Sequence, residues 1–186
     1  MHEKGGLISM RRILVVIDMQ NDFIDGSLGT PEAQAIVENV KKKIMSYPQG
    51  DIVATMDTHE EKYLSTQEGK KLPVKHCIRG TKGWEIRDDI AALLEEKQAR
   101  IVEKPGFGSL KLSDDLKKLA SEHAIELELI GLCTDICVVS NALILKAFVP
   151  EVKISVDASC CAGVTPEKHK AALETMRSCQ ICITNE

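Results

Sequence analysis

A cysteine just beyond a buried-looking strand is the first residue whose setting could do chemistry. In Glu126–Ala147, ELELIGLCTDICVVSNALILKA, an apolar run ends at Gly131, a short polar turn follows, and Cys137 stands where an amphipathic segment opens. The pattern predicts a strand, a tight turn and a helix beginning near the thiol. Unpaired N–H groups and the positive end of the backbone dipole would lower the cysteine pKa there and offer donors to an oxyanion. A packed core cysteine is the competing reading, because cysteines are often buried. Two more reactive types stand at strand ends: Asp18 after Ile13–Ile17, and Lys104 after Arg100–Glu103. A carboxylate can take a thiol proton, and a lysine can hold that carboxylate ionised and favour the thiolate. Taken singly, Asp18 reads as a turn residue and Lys104 as a solvated surface lysine. Their joint placement is what points to nucleophilic chemistry.

A second cluster is Asp57-Thr58-His59, followed by Glu68 and His76. An aspartate and a histidine two apart point the same way on extended backbone. Two imidazoles and a carboxylate suit a divalent ion such as Zn²⁺ or Fe²⁺, with Glu68 and His76 closing the site from a long loop. Polar loop residues with no metal are the alternative. Cys179-x-x-Cys182 invites a zinc or redox reading together with Cys160-Cys161, but Cys182 lies in an alternating ICIT pattern that core packing explains. The glycines of Lys104-Pro105-Gly106-Phe107-Gly108 lack the spacing and the following Lys-Ser/Thr of a phosphate loop.

These residues need elements to position them. Strands are expected at Ile13–Ile17, Ile52–Met56, Arg100–Glu103, Leu127–Ile130, Val152–Val156 and Gln180–Thr184. Between them, Thr30-Pro31 should cap a helix whose buried face is Ala33, Ile36, Val37, Val40 and Ile44, stopped at Tyr47–Gly50. Helices are also expected over Ile86–Glu96, from a Ser113 cap to about His123, after Cys137, and over Pro166–Met176. The polar run Asp57–Gly83 is long for a loop, and such loops are usually functional or disordered. Alternating strands and helices predict right-handed crossovers and a mainly parallel sheet covered on both faces. Ligands then bind outside the carboxyl ends of the strands. The residues at those ends are Asp18, Asp57, His59, Lys104 and Cys137, with Asp157 expected to close the fifth strand.

At 186 residues the chain suits one domain with a sizeable core, and no linker, repeat or low-complexity segment divides it. Residues 1–10 read as an N-terminal tail before a single domain over 11–186. With 24 Lys and Arg against 28 Asp and Glu, no basic excess suggests nucleic acid or an anionic membrane as a partner. No apolar run approaches the ~18 residues of a membrane helix. Seven cysteines, an odd number, and the absence of an export signal predict free thiols in a reducing cytoplasm.

On these residues the chain resembles the isochorismatase-like cysteine hydrolase superfamily, and within it the nicotinamidases. The resemblance is carried by Asp18-Met19-Gln20-Asn21-Asp22-Phe23 with Gly26 and Leu28, and by Asp57-x-His59. It continues through His76-Cys77 with Gly80-Thr81-x-Gly83, Glu103-Lys104 with Ser109, and Gly131-x-x-Thr134-Asp135-x-Cys137. It implies a three-layer α/β/α fold on a six-stranded, mainly parallel sheet. It also implies a catalytic triad of Asp18, Lys104 and Cys137, and a cis peptide at Leu132–Cys133 that aims the N–H groups of Cys133 and Cys137 at one oxyanion. Asp57, His59 and His76 fall where the family holds a metal, with Glu68 matching a further ligand found in some members; Zn²⁺ comes first, with Fe²⁺ or Mn²⁺ as alternatives. Phe23, Leu28 and Phe107 would sandwich a pyridine ring. Leu72 stands near where nicotinamidases often carry an aromatic. The implied reaction is hydrolysis of nicotinamide, a small carboxamide, by a cytoplasmic enzyme, with a homo-oligomer left open. Another substrate (a carbamoyl amine or isochorismate) and a non-catalytic metal- or metabolite-binding role are the alternatives.

Overall fold

The structure, a computed structural model, describes residues 10–186. Apart from Met10, the expected tail lies outside the described residues. Six strands form one sheet: β1 (Arg11–Ile17), β2 (Ile52–Asp57), β3 (Arg100–Lys104), β4 (Ile125–Leu132), β5 (Lys153–Ala162) and β6 (Cys182–Thr184). Their order is β3-β2-β1-β4-β5-β6, and every neighbouring pair is parallel.

The apolar run of β1 is explained by burial on both sides, as parallel sheets require. Ile13, Val15 and Ile17 face one core, and Leu14 and Val16 the other. The first core is closed by α6 (Leu110–Glu122), α7 (Val139–Phe148) and α8 (Pro166–Ser178), through Leu112, Leu116, Ala142, Leu145, Leu173 and Met176. The second is closed by α3 (Val37–Met45) and α5 (Asp88–Glu96), through Val40, Ile44, Ile90 and Leu94. Each Val, Leu, Ile or Met side chain so buried contributes about 1.5–3 kcal/mol. Short helices α1 (Asn21–Ile24), α2 (Pro31–Ala35) and α4 (Gln67–Lys71) occupy the connections. Thr30 caps α2 as its sequence predicts, its hydroxyl accepting from the Ala33 N–H at 3.0 Å.

Several boundaries differ from expectation. Ser109, not Ser113, caps α6: its Oγ accepts from the Leu112 N–H at 3.1 Å, while Ser113 Oγ donates back to the Ser109 carbonyl inside the helix. β5 does not end at Asp157. A register shift in its pairing with β4 between Leu129 and Gly131 absorbs extra residues, so the strand runs on until Cys161 and Ala162 pair with Gly131 and Leu132. Cys182 is exposed, whereas Ile181, just before β6, is buried and Ile183 within it packs against the first core, so core packing does not account for the cysteine. The run Asp57–Gly83 is built around α4 and a single 3₁₀ turn, Tyr63–Ser65.

Strand order reverses between β1 and β4, which opens a crevice at their carboxyl ends. Gly131 sits there with φ +116°, and a Cβ on it would lie 2.1 Å from the Ile17 carbonyl oxygen. Only glycine lets β4 approach β1 so closely.

Candidate active site and metal cluster

Asp18 is the first residue past β1, and its φ of 47° turns the chain sharply out of the strand. Short polar side chains tolerate that left-handed region better than most. Thr55 of β2 pins it: the Thr55 hydroxyl donates to Asp18 Oδ1 at 2.7 Å, and the Asp18 N–H reaches Thr55 Oγ1 at 3.3 Å. Lys104 ends β3 and is 1 % exposed, so the surface-lysine reading is excluded. Its ammonium lies 2.7 Å from Asp18 Oδ2, 3.0 Å from the Gly106 carbonyl, 3.4 Å from Cys137 Sγ and 3.4 Å from Asp57 Oδ1.

Cys137 lies within a single π-helical turn, Thr134–Val138, that leads into α7. The Leu132–Cys133 peptide before it is cis. Asn141 anchors the far end of the turn, donating to the Cys137 carbonyl at 2.8 Å and to the Phe107 carbonyl at 3.1 Å, and accepting from the Ser109 N–H at 3.0 Å. The β3–α6 loop and the cysteine turn are therefore fixed to each other.

The electrostatics correct one expectation. The Cys137 thiol is not lowered. Burial pushes it well above its ordinary value, the Asp18 carboxylate pushes the same way, and Lys104 offsets only part. Burial also raises Asp18 against the pull of Lys104. For Lys104, burial alone would favour the neutral amine, but Asp18, Cys137 and Asp57 outweigh it and raise its pKa. Asp18 and Cys137 share the Lys104 ammonium with Asp57, so a negative charge on one of these groups disfavours a negative charge on the others. Burial of the sulfur first, and the Asp18 carboxylate second, outweigh the lowering expected at a helix terminus.

Asp57 ends β2, and its oxygens divide. Oδ1 faces Lys104, whereas Oδ2 lies 3.1 Å from His59 Nε2 and 3.8 Å from His76 Nε2. Glu68, in the first turn of α4, places Oε1 3.6 Å from His59 Nε2 and 3.7 Å from His76 Nε2. Asp57, His59 and His76 offer donor atoms all within 4.8 Å of one another. Buried His59 Nε2 has no hydrogen-bond partner despite the nearby carboxylate, so these donors converge on a point instead of pairing. That arrangement fits a cation. His76 Nδ1 is held 2.9 Å from the Val74 carbonyl, which directs Nε2 inward.

Two supports escaped the sequence reading, although both lie in the motif it quoted. Fully buried Gln20 clamps the Asp57 backbone, accepting from its N–H at 2.7 Å and donating to its carbonyl at 2.8 Å, with a second bond to the Trp84 carbonyl at 2.7 Å. Asp22 Oδ2 accepts from the Cys77 N–H at 2.8 Å, and a Cβ on Gly83 would fall 2.1 Å from the same oxygen. Asp22 thus ties the His76-Cys77 segment and Gly83 to α1. An amide or carboxylate after a strand gives no sequence sign that its partner is backbone.

A narrow cavity of about 40 Å³ runs between the two clusters, lined by Phe23, Leu28, Leu72, Phe107, Cys133, Ile136 and Cys137, with Asp57, Glu68 and His76 at one wall. The three residues expected to hold a ring are all there. Asp157 is not. It pairs with Lys43 at 2.6 Å and accepts from the Ser159 hydroxyl at 2.7 Å and Asn185 Nδ2 at 2.9 Å. Nor do the other cysteines form a cluster: Cys160 and Cys161 are buried, Cys179 and Cys182 exposed, and all seven are free.

A family model described as the isochorismatase domain matches residues 12–186. The chain belongs to the isochorismatase family. Within that family it is 30% identical over 175 residues to an uncharacterized isochorismatase family protein of Bacillus subtilis, covering 88% of this chain and 93% of that one. It is 27% identical over 175 residues to a protein of Saccharomyces cerevisiae named nicotinamidase, covering 71% and 80%. The fold matches a pyrazinamidase of Pyrococcus horikoshii, solved in complex with zinc, at a TM-score of 0.73 and 26% identity over 95% of this chain and 99% of that one. The six-stranded parallel sheet is thus the isochorismatase-family α/β fold. Among the described residues no helix is long and apolar enough to cross a membrane.

Proposed function

We propose that this protein is a nicotinamidase, an amide hydrolase that converts nicotinamide to nicotinate and ammonia, with residues 11–186 acting as one catalytic domain. The observation that carries the reading is the burial of Asp18, Lys104 and Cys137 around one ammonium, with Asp57 shared between that trio and a converging His59–His76 pair. The names borne by relatives in yeast and Pyrococcus support the same choice.

Asp57, His59 and His76, with Glu68, would hold a divalent ion. The mixed nitrogen and oxygen donors suit Zn²⁺ first and Fe²⁺ or Mn²⁺ next. Such an ion supplies a Lewis acid for a ring nitrogen, which favours a pyridine over an aliphatic amide. Phe23, Leu28 and Phe107 flank the ring and orient its carboxamide over Cys137.

Asp18 accepts the thiol proton as the sulfur adds to the carboxamide carbon. Lys104 keeps the developing charges balanced, since its ammonium faces both Asp18 and the sulfur. The carbonyl π pair moves to oxygen, which accepts from the backbone N–H groups of Cys133 and Cys137. Asp18 returns the proton to the amide nitrogen, the C–N bond breaks, and ammonia leaves a thioester. Asp18 then takes a proton from water as the water oxygen adds to the thioester carbon. The C–S bond breaks, the thiol regains the proton from Asp18, and the product leaves as the carboxylic acid, which loses its own proton to solvent to give nicotinate. A carboxyl with a raised pKa is suited to serve as base and then acid.

Ammonia release should be measured across nicotinamide, pyrazinamide and an N-carbamoyl amine. Turnover of the two ring carboxamides but not the carbamoyl amine is expected. Preference for the carbamoyl amine, or no turnover at all, overturns the reading.

A further inference from the structure

We infer that His169, on α8, is a positioning residue for the turn that binds the oxyanion, an inference that rests on the hydrolase reading above. Thr134 opens that turn and is fully buried, and its hydroxyl lies 2.7 Å from His169 Nδ1. The next side chain is tied to the same place. Asp135 Oδ1 accepts from the Val164 N–H at 2.9 Å. A Cβ on Gly163 would fall 2.8 Å from the His169 nitrogen and 2.9 Å from Asp135 Oδ1, so the β5–α8 connection closes on the turn with room for glycine alone.

His169 is itself held firmly. Its N–H donates to the Thr165 carbonyl at 2.9 Å in the first turn of α8, which Thr165 caps through Lys168. The turn is thus gripped at both ends, by His169 and Asp135's bond at its start and by Asn141 at its close. Between them the Cys133 carbonyl accepts from the N–H groups of Ile136 and Val138 at 3.1 and 3.0 Å. Where Thr134 sits therefore sets where the N–H groups of Cys133 and Cys137 point. His169 touches neither sulfur nor substrate cavity; it acts through Thr134.

The test follows three variants through two readouts. His169→Ala should lower kcat for nicotinamide by about 10- to 100-fold, the scale of a small misplacement at a reacting centre, with KM changed little. Pyridine-3-carbaldehyde gives the second readout: the Cys137 S–H adds across its C=O, and the resulting oxygen occupies the oxyanion position. Its inhibition constant should rise in parallel with the loss in kcat. His169→Asn, which keeps a polar atom near the Nδ1 position, should recover most of the rate. Thr134→Val should match His169→Ala, and the double variant should be no worse than either, because both remove one interaction. Unchanged kcat in His169→Ala, a kcat loss with unchanged aldehyde inhibition, or additive losses in the double variant would overturn the inference. Failure of the wild-type protein to release ammonia from nicotinamide would instead strike the hydrolase reading.

Discussion

Asp57 meets Lys104 through one carboxylate oxygen, 3.4 Å from the ammonium, and turns the other toward the imidazoles of His59 and His76. One side chain thus faces both the ammonium beside Cys137 and the donor atoms that could hold a metal ion. Asp57 is pulled below the usual carboxylate range: burial alone would raise it, but His59 and Lys104 outweigh that.

Asp18, Lys104 and Cys137 should behave as one unit. Cys137→Ala should abolish ammonia release while the fold remains. Asp18→Asn and Lys104→Ala should each cost nearly as much, on the order of 10³-fold or more in kcat, and pairs should cost little beyond the singles. Steady-state kinetics on the singles and doubles decides it; a Lys104→Ala enzyme with most of its turnover removes the triad.

Thiol labelling should report burial before reactivity. At neutral pH iodoacetamide should modify exposed Cys179 and Cys182 ahead of Cys137, whose raised pKa leaves little thiolate and whose sulfur is enclosed. Since the pKa is raised, Cys137 labelling should grow as pH increases. Peptide mass spectrometry against time and pH gives the order. Fast labelling of Cys137 at neutral pH would mean that its thiolate is already formed.

Metal content should follow the histidines and their supports. His59→Ala and His76→Ala should each lose bound metal, whereas Cys179→Ser with Cys182→Ser should retain it. Gln20→Ala should weaken metal affinity about 10- to 100-fold, because Asp57 loses the amide that fixes its backbone. Chelation should raise KM for nicotinamide and lower turnover without unfolding the protein. Elemental analysis with circular dichroism separates these effects; full metal retention in both histidine variants refutes the cluster.

Asp157 should matter for stability and not for turnover. Asp157→Asn should cost about 2–3 kcal/mol, less than orphaning a buried charge outright, because Lys43 keeps Glu128 at 3.0 Å. Burial would raise the Asp157 pKa, but Lys43, Ser159 and Asn185 together lower it from 3.8. A depressed carboxylate stabilises above its unfolded value, and that stability is lost as pH falls through the folded value. The gap between wild type and variant should therefore hold at neutral pH and shrink only below about pH 4. Thermal melts across pH, with kcat beside them, test both halves.

The sheet was legible because β1, β2 and β4 are apolar runs buried on both faces, a pattern with no competing explanation of that length. Asp18, Asp57, Lys104 and Cys137 were legible from strand ends combined with complementary chemistry; the strand-end rule by itself also picked out Asp157, which lies elsewhere and pairs with Lys43. The Ser109 cap was missed because Ser113 also precedes a helical pattern, and only tertiary packing shows which serine sits inside the helix. The raised Cys137 pKa was not legible because its largest cause is burial, which depends on how completely the fold closes over the sulfur, and no spacing in the sequence reports that. Gln20, Asp22 and Asn141 act on backbone groups brought in by the fold, so their roles have no signature in spacing.

The two clusters sit on different kinds of scaffold. Asp18 and Lys104 are anchored to the ends of central and edge strands, and Cys137 to the turn that leaves β4. His59, Glu68 and His76 hang on the excursion between β2 and α5. Chain on a sheet tolerates little change, and the excursion itself buries Tyr63, His76 and Cys77, whereas its exposed positions, such as Leu72, can be exchanged with modest cost to the core. Within that excursion Leu72 is both exposed and on the cavity wall, so variation there offers a route to new ring preferences while Asp18, Lys104 and Cys137 stay in place. Asp57, standing at the join, is the position where such drift would have to stop.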